Sequence, residues 1–314
     1  MKKVLFATTA LVATTGVAAA DVTFGGYGRF GVMYQENLVD AAGNDNEFNV
    51  TSRFRLEITA TAESDAGVTF GAYTRIEQND NFQPGDASGK TTNGGTGISG
   101  VRFFAKTGGL EVGVGNIQGA LEFMPGMYPI DLGLTGLGYD YTAYNFRGDA
   151  WFDENGDGRS GDNGVEVKYA FGDFSVHVSA SEFNDRIAAV GAYTWNGWTF
   201  AAAVQDSDSD LDTEWALSAG GDFGPAFVSL TYARNGDDTG VGTLGGDHVV
   251  LAGRFDVGAA TNIEAYVADA DYFAETSYGI DFNHDMGGGT SLRGGVASRG
   301  NDTVRADLGV RFNF

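Results

Sequence analysis

Residues 50–62 read VTSRFRLEITATA, in which six of the seven even-numbered positions are apolar and none of the six odd-numbered positions is. A period of two is the spacing at which side chains alternate between the two faces of a β-strand. The segment therefore predicts a strand with one apolar face and one polar face. A shift of one residue would move Arg53, Arg55 and Glu57 onto the apolar face, so the register is strongly specified.

The same alternation recurs along the chain to its carboxyl terminus. Residues 303–314, TVRADLGVRFNF, place apolar side chains at every even-numbered position and polar residues at most of the others. Sixteen segments of this kind are predicted as strands: 22–34, 50–62, 68–77, 99–107, 110–116, 164–171, 174–183, 187–195, 198–205, 214–221, 226–234, 247–255, 261–268, 276–283, 290–298 and 303–314.

The connections between the predicted strands alternate in length. Every second connection is a tight turn, such as residues 108–109, 172–173 and 196–197, whereas the others are mostly longer and polar. Short turns on one rim and long loops on the other are typical of an antiparallel outer-membrane β-barrel, whose apolar side chains face lipid while the polar ones face the lumen. A soluble β-sandwich is the alternative, since it also alternates buried and exposed positions along each strand.

Two segments are apolar enough to be compared with membrane helices. Residues 1–20 begin with Lys2 and Lys3, continue without charge and end in three alanines, a pattern typical of a cleaved secretory signal peptide. Residues 187–205 are uncharged, but Asn196-Gly197 at their centre predicts a hairpin turn instead of a spanning helix. We therefore expect a signal peptide, residues 1–20, followed by an exported barrel domain, residues 21–314.

Composition and charge restrict the function further. The 314 residues include no cysteine, which excludes thiolate metal sites, disulfides and cysteine nucleophiles. The formal net charge of −23 argues against a nucleic acid partner, because a strongly acidic chain repels phosphate. Carboxylates, carbonyl groups and the three histidines are left to supply any chemistry.

Three stretches of the sequence resemble a known family. The terminal GVRFNF is similar to the last strand of bacterial outer-membrane proteins. The opening YGRFGVMY at residues 27–34, TSRFR at residues 51–55 and the closing VRADLGVRFNF resemble the general-diffusion porins of purple bacteria and related alphaproteobacteria. The resemblance spans the chain after residue 20. It implies a 16-stranded antiparallel transmembrane barrel in the outer membrane, a homotrimer, and a long third loop folded into the lumen.

Residues 117–163 match the position of that loop. They are much longer than an ordinary connection, and their many aromatic side chains argue against disorder. By strand phase, Arg29, Arg53, Arg55 and Arg75 face the lumen. An arginine wall opposite an acidic inserted loop would generate a field across the pore, and we expect Glu122 and Asp131 to form its acidic side. The alternative is that the arginines pair locally with glutamates of the same strands.

Calcium is the only cofactor that the sequence suggests. Asp153, Asn155 and Asp157 stand at alternate positions before Gly158, like the start of an oxygen-rich calcium loop. An EF-hand would place a bidentate glutamate where the chain has Gly164, so the match is partial.

These observations predict an outer-membrane porin: a water-filled channel for passive diffusion of small hydrophilic solutes and ions, weakly selective for cations. The outer-membrane lipid and two further copies are its expected partners. A substrate-specific sugar channel is an alternative, and a barrel enzyme or an adhesin are others. An enzyme is disfavoured because the sequence contains no GxSxG, HExxH or phosphate-loop motif around its three histidines.

Overall fold

The structure is a computed structural model that describes residues 20–39, 43–80, 94–144, 163–182, 185–207, 212–236 and 245–314. All the regular elements in these ranges are β-strands. They are Asp21–Gln35 (β1), Phe48–Glu63 (β2), Thr69–Asp80 (β3), Gly94–Ile98 (β4), Arg102–Thr107 (β5), Leu110–Asn116 (β6), Asn163–Phe171 (β7), Phe174–Ser181 (β8), Arg186–Trp195 (β9), Trp198–Asp206 (β10), Glu214–Phe223 (β11), Ala226–Asn235 (β12), Gly246–Asp256 (β13), Thr261–Ala270 (β14), Ser277–Gly287 (β15), Thr290–Ser298 (β16) and Val304–Asn313 (β17).

The strands form one closed antiparallel barrel. Each strand pairs with its sequence neighbours, and β1 pairs with both β2 and β17, which closes the sheet on itself. β4 and β5 both pair with β3 and are two parts of one interrupted strand, so the wall has the sixteen passes predicted from the sequence. The even number of passes places both chain ends at the rim of the short turns.

The interruption between β4 and β5 is a bulge that turns one arginine inward. Tyr73 pairs with Arg102 and Ile76 pairs with Ile98, so three steps along β3 oppose four steps along its partner. One extra residue reverses the face to which even-numbered side chains point. Ile98 is therefore exposed on the outside of the barrel, whereas Arg102 is buried on the lumen side. The sequence predicted one strand at 99–107 and did not predict this bulge.

The predicted alternation is visible in the accessibility of the side chains. On β8, Val176 and Val178 are 41% and 46% exposed. His177 and Ser179, which alternate with them along the strand, are 9% and 5% exposed. The exposed side chains form the apolar outer surface that contacts lipid, and the buried polar ones point into the barrel.

The uncharged window at residues 187–205 forms the predicted hairpin. β9 and β10 pair antiparallel across Asn196 and Gly197, which have φ angles of 49° and 82°. Positive φ at both central residues is the requirement of a tight two-residue turn between strands. Among the described residues, no helix is both long and apolar enough to cross a membrane.

Aromatic rings gather near the rim of short turns. Phe171 stacks on Phe174 across the β7–β8 turn, and Phe174 stacks on Tyr193 of β9. The terminal Phe314 stacks on Phe54, with 5.6 Å between ring centroids. Aromatic side chains are favoured at the boundary between hydrocarbon and water, so these rings mark one edge of the membrane-spanning band.

Candidate functional site

Residues 117–144, the described part of the segment between β6 and β7, enter the barrel instead of extending away from it. Of residues 117–144, most side chains are buried, including Leu121, Met127, Leu132 and Tyr141 with 0–1% exposure. They pack against small side chains that face inward from the wall. These include Ala188, Ala192, Ala201, Ala203, Ala216, Ala233, Ala252, Ala268 and Ala297. Because alanine leaves space at the lumen face, these strands accept the loop without widening the barrel.

The tip of this inserted loop, residues 131–135, is held by carboxylates of the wall. Asp307 of β17 accepts hydrogen bonds from the backbone N–H groups of Leu134 and Thr135, at 3.0 and 2.8 Å, and from the Thr135 hydroxyl at 2.7 Å. Asp281 of β15 accepts one from the Gly133 N–H at 2.5 Å, and Glu264 of β14 accepts one from the N–H of residue 131 at 3.0 Å. Charged acceptors make strong hydrogen bonds to backbone donors, so the tip is fixed at several points.

Asp140 anchors the following part of the loop. Its carboxylate accepts hydrogen bonds from the Ser277 hydroxyl, the Gly300 N–H and the Arg299 guanidinium, at 3.0, 2.9 and 3.1 Å. Next to it, burial raises the pKa of Tyr141 well above its ordinary value, so the phenol stays neutral. The loop is therefore attached to β15 and to the connection between β16 and β17.

Gly133 is needed for the tip to lie this close to the wall. Its φ is +65°, and an added Cβ would lie 2.5 Å from Oδ1 of Asp307. We expect Gly133→Ala to lower the thermal denaturation midpoint in detergent, because it adds a clash to the backbone strain, and the clash alone costs about 1–3 kcal/mol. Gly172→Ala is the matched control, since φ there is +57° and an added Cβ would meet no described atom within 4 Å. Equal midpoints for the two variants would contradict the close contact.

Two of the predicted constriction arginines share one carboxylate. Nε of Arg53 lies 3.3 Å from Oε1 of Glu77, and Nε of Arg55 donates a hydrogen bond to Oε2 of the same residue. Arg53 also donates a hydrogen bond to the Tyr27 hydroxyl at 3.1 Å. Arg75, two positions before Glu77 on β3, is buried on the same face. The wall formed by β2 and β3 thus carries three inward-facing arginines, two of which pair with one glutamate of the same wall.

Arg29 has a different environment. Its side chain is only 5% exposed, and Nη1 donates a hydrogen bond of 2.5 Å to the carbonyl oxygen of Leu134 at the loop tip. A guanidinium that binds a backbone carbonyl of the loop serves as an anchor as well as a charge. The structure therefore places Arg29 beneath the loop tip and directly opposite Arg53 in the pairing of β1 with β2.

Asp131 lies in the lumen beside further arginines. Its Oδ2 accepts hydrogen bonds from Arg293 of β16 at 2.7 Å and from Arg311 of β17 at 2.9 Å, and its side chain is 59% exposed. Arg311 also lies over the Tyr27 ring, 4.1 Å from the centroid. Arg293 and Arg311 were not among the predicted site residues. The alternation of β16 and β17 places both on the polar face, so that pattern was the signal available to find them.

Glu122, the other predicted acid, is in the first part of the inserted loop. It is buried, at 5% exposure, next to the fully buried Leu121. The structure brings Asp131 together with arginines of β16 and β17, and it places Glu122 near the start of the described loop segment.

A second charged cluster, unpredicted from the sequence, lines β5 to β8. Arg102 donates hydrogen bonds to Glu166 through Nε and to Glu111 through Nη2. Glu166 also contacts Nε2 of His177 at 2.8 Å and lies 3.3 Å from Nζ of Lys168. Lumen-facing charges therefore continue around the barrel from the arginines of β2 and β3.

A family model described as Gram-negative porin matches residues 7–304 of the chain. The chain belongs to the Gram-negative porin family. It is 30% identical to a porin of Fuscovulum blasticum over 311 residues, covering 94% of this chain and 100% of that one. It is 28% identical to a porin of Rhodobacter capsulatus over 332 residues, again covering 94% of this chain and 100% of the other.

Solved structures agree with this assignment. A variant of the Rh. blastica porin superimposes with a TM-score of 0.73 at 28% identity, covering 93% of this chain and all of that one. A triple mutant of the Rhodopseudomonas blastica porin gives a TM-score of 0.74 at 28% identity. The protein is accordingly a porin, a channel of the Gram-negative outer membrane, and the resemblance found in its terminal strands is confirmed.

Some predictions concern parts of this porin that the structure does not describe. Asp153, Asn155 and Asp157, the predicted calcium ligands, lie outside the described residues, as do residues 1–19 of the predicted signal peptide. Residues 145–162 of the predicted constriction loop, 117–163, are also outside them. Within the part of the chain that is described, no group of three or more His, Asp or Glu side chains is arranged to hold a metal ion.

Proposed function

We propose that this porin forms a passive diffusion pore whose narrowest part lies between the inserted loop and the wall of β2 to β6. The single observation that carries the proposal is the asymmetric packing of the loop. Residues 117–144 contact inward-facing side chains of β8 to β17 through Ser179, Ser218, Thr231, Asp281 and Asp307. A loop attached to that half of the wall leaves the aqueous path on the other half, where Arg53, Arg55, Arg75 and Arg102 are located.

Charge at this opening supports a weak selectivity for cations. The chain carries a formal net charge of −23, which enriches cations near the pore. The guanidinium groups of Arg53 and Arg55 oppose that field at the narrow part, and Glu77 compensates some of their charge. Because the two contributions have opposite signs, we infer a small net preference for cations.

The passing solutes are small and hydrophilic, and no covalent step is involved. Both lumen histidines have contacts that suit a structural role: His177 lies against Glu166, and Nδ1 of His248 lies 2.7 Å from the Tyr272 hydroxyl. The porin family is one of channels, so we assign these histidines to the lumen lining instead of to catalysis.

We infer a homotrimer from the resemblance to the general-diffusion porins. The outer faces of β1, β2, β3 and β5 are compatible with contact between copies, because large apolar side chains there are exposed in the single chain. They include Phe24, Phe30, Phe54, Phe70 and Phe103.

Reconstitution of the purified porin into a planar bilayer tests these proposals together. We expect stepwise increases of conductance that arrive in groups of three, with a reversal potential in a salt gradient that shows a small excess of cation flow. Currents that saturate with solute and are inhibited by one sugar would contradict general diffusion. Single, ungrouped steps would contradict the trimer alone.

A further inference from the structure

A cavity of about 300 Å³ lies between the lumen wall and the start of the inserted loop. Its wall side is formed by Tyr73 and Arg75 of β3 and by Arg102 and Phe104 of β5. Its loop side is formed by Phe123 and Gln118. The volume is at the lower end of the range for pockets that bind small molecules. The cavity therefore has room for a small solute at the place where the proposed path is narrowest.

Strand register explains why these side chains meet. Tyr73 pairs with Arg102, and the next inward-facing positions on the two strands are Arg75 and Phe104. The bulge between β4 and β5 gives Arg102 its inward direction, because without the extra residue the even-numbered side chains of β5 would face lipid. Two arginines and two aromatic rings are therefore set on one patch of wall by the sheet itself, which is a rigid support for a binding site.

The electrostatics of the cavity favour an anion. Of the described side chains that line it, two are guanidinium groups and none is a carboxylate. Arg102 is held by Glu166 through Nε and by Glu111 through Nη2, and its Nη1 makes no hydrogen bond to any residue that the structure describes. Since a guanidinium has five donors in a fixed plane, the Nη1 donors are oriented in advance for a carboxylate oxygen.

The loop side of the cavity presents an aromatic ring to water. Phe123 is 39% exposed, although its neighbours Leu121 and Met124 are almost completely buried. Inside a polar lumen this ring has no lipid to contact. Phe104 across from it already has the Arg102 guanidinium 5.4 Å from its ring centroid. Aromatic faces in a cavity favour a flat apolar partner, which gains by stacking between them.

We propose that this cavity is a transient binding site for small anions with a flat apolar ring, such as aromatic carboxylates. This inference rests on the proposed function, because the solute reaches the cavity by diffusing through the lumen. An uncharged sugar gains less at this site, because it carries no negative charge to pair with the two guanidinium groups. Binding at the narrow part would reduce the ion current while the site is occupied.

Single-channel recording with three probes tests the site. Benzoate carries both features, acetate carries only the charge, and benzyl alcohol carries only the ring. At constant ionic strength we expect benzoate to reduce the conductance saturably, with acetate and benzyl alcohol requiring at least about tenfold higher concentrations, because each lacks one of the two contacts. Equal effects of the three probes, or a stronger effect of a neutral sugar, would overturn the proposal.

Substitutions in the loop distinguish stacking of benzoate on the Phe123 ring from a general effect on the pore. Phe123→Leu keeps an apolar side chain but removes the ring, and we expect the half-blocking concentration of benzoate to rise about three- to tenfold. Tyr128→Leu is the matched control, because Tyr128 is an aromatic residue of the same loop with 40% exposure that does not line the cavity. A rise of equal size in both variants would overturn the role of Phe123.

A second pair of variants tests the charge. Arg102→Gln is expected to raise the half-blocking concentration about tenfold, because it removes a charge-assisted contact. Arg254→Gln is the control, since Arg254 is also paired with a carboxylate, Asp256, but lies outside the cavity.

Normal conductance steps without any benzoate effect would overturn this inference and leave the proposed pore intact. Absence of conductance steps in the unmodified protein would overturn both.

Discussion

Replacing Asp281 and Asp307 together by alanine is expected to convert one steady single-channel current into a current that fluctuates among several levels. The two carboxylates accept hydrogen bonds from the backbone N–H groups of Gly133, Leu134 and Thr135. Without them, buried donors at the loop tip lose their partners, at about 1–3 kcal/mol each. The tip should then leave the wall intermittently and change the width of the pore.

The control for this experiment removes the same charge elsewhere. Asp222 and Asp256 are exposed near the rim of short turns, so Asp222→Ala with Asp256→Ala changes the net charge equally and leaves the loop attached. We expect the control to keep one conductance level. A single level of unchanged size in the Asp281 and Asp307 variant would show that the apolar contacts of the loop are sufficient to hold its tip.

Replacing Arg53 and Arg55 together by alanine should enlarge the conductance and shift the permeability toward cations. The two side chains occupy the lumen beside Glu77, which accepts contacts from both and is 2% exposed. Their removal widens the opening and leaves the Glu77 carboxylate without these two partners, so the local potential becomes more negative. We expect the ratio of cation to anion permeability to rise by about twofold or more, as measured by reversal potentials in a salt gradient.

Two further variants identify the cause of the change. Arg234→Ala with Arg254→Ala removes two positive charges from exposed ion pairs away from the narrow part, and it should have little effect. Adding Glu77→Gln to the Arg53 and Arg55 variant should reverse most of the permeability shift and keep the larger conductance. If the Arg53 and Arg55 variant matches the control in both quantities, these arginines are not at the constriction.

The fold of this porin could be predicted well from its sequence, because period-two alternation reports directly on which face of a strand contacts lipid. Residues 50–62 show this most clearly, and the pairing of β2 with β1 and β3 follows the predicted phase. The tight turn at Asn196 and Gly197 was equally clear from the residues. The bulge before Arg102 was not, because an extra residue in one strand is defined only by its pairing with the next.

The candidate site could be predicted only in part. Strand phase identified arginines that face the lumen. It carries no information about how far along the pore each arginine lies or about its contacts with a loop. Arg29 therefore could not be recognised as a partner of the loop tip. The contacts of Asp131 with Arg293 and Arg311 join residues 162 and 180 positions apart in the chain, and no local pattern encodes such a pairing.

Labelling of single cysteines tests the central claim most directly, because the chain contains no cysteine of its own. Thr59 faces the lumen, whereas its neighbour Ile58 and Leu230 on β12 face outward. A charged, membrane-impermeant thiol reagent should lower the conductance of the Thr59→Cys channel and leave the Ile58→Cys and Leu230→Cys channels unchanged. Reaction at the two outward positions, or none at position 59, would contradict a water-filled lumen enclosed by a lipid-facing wall.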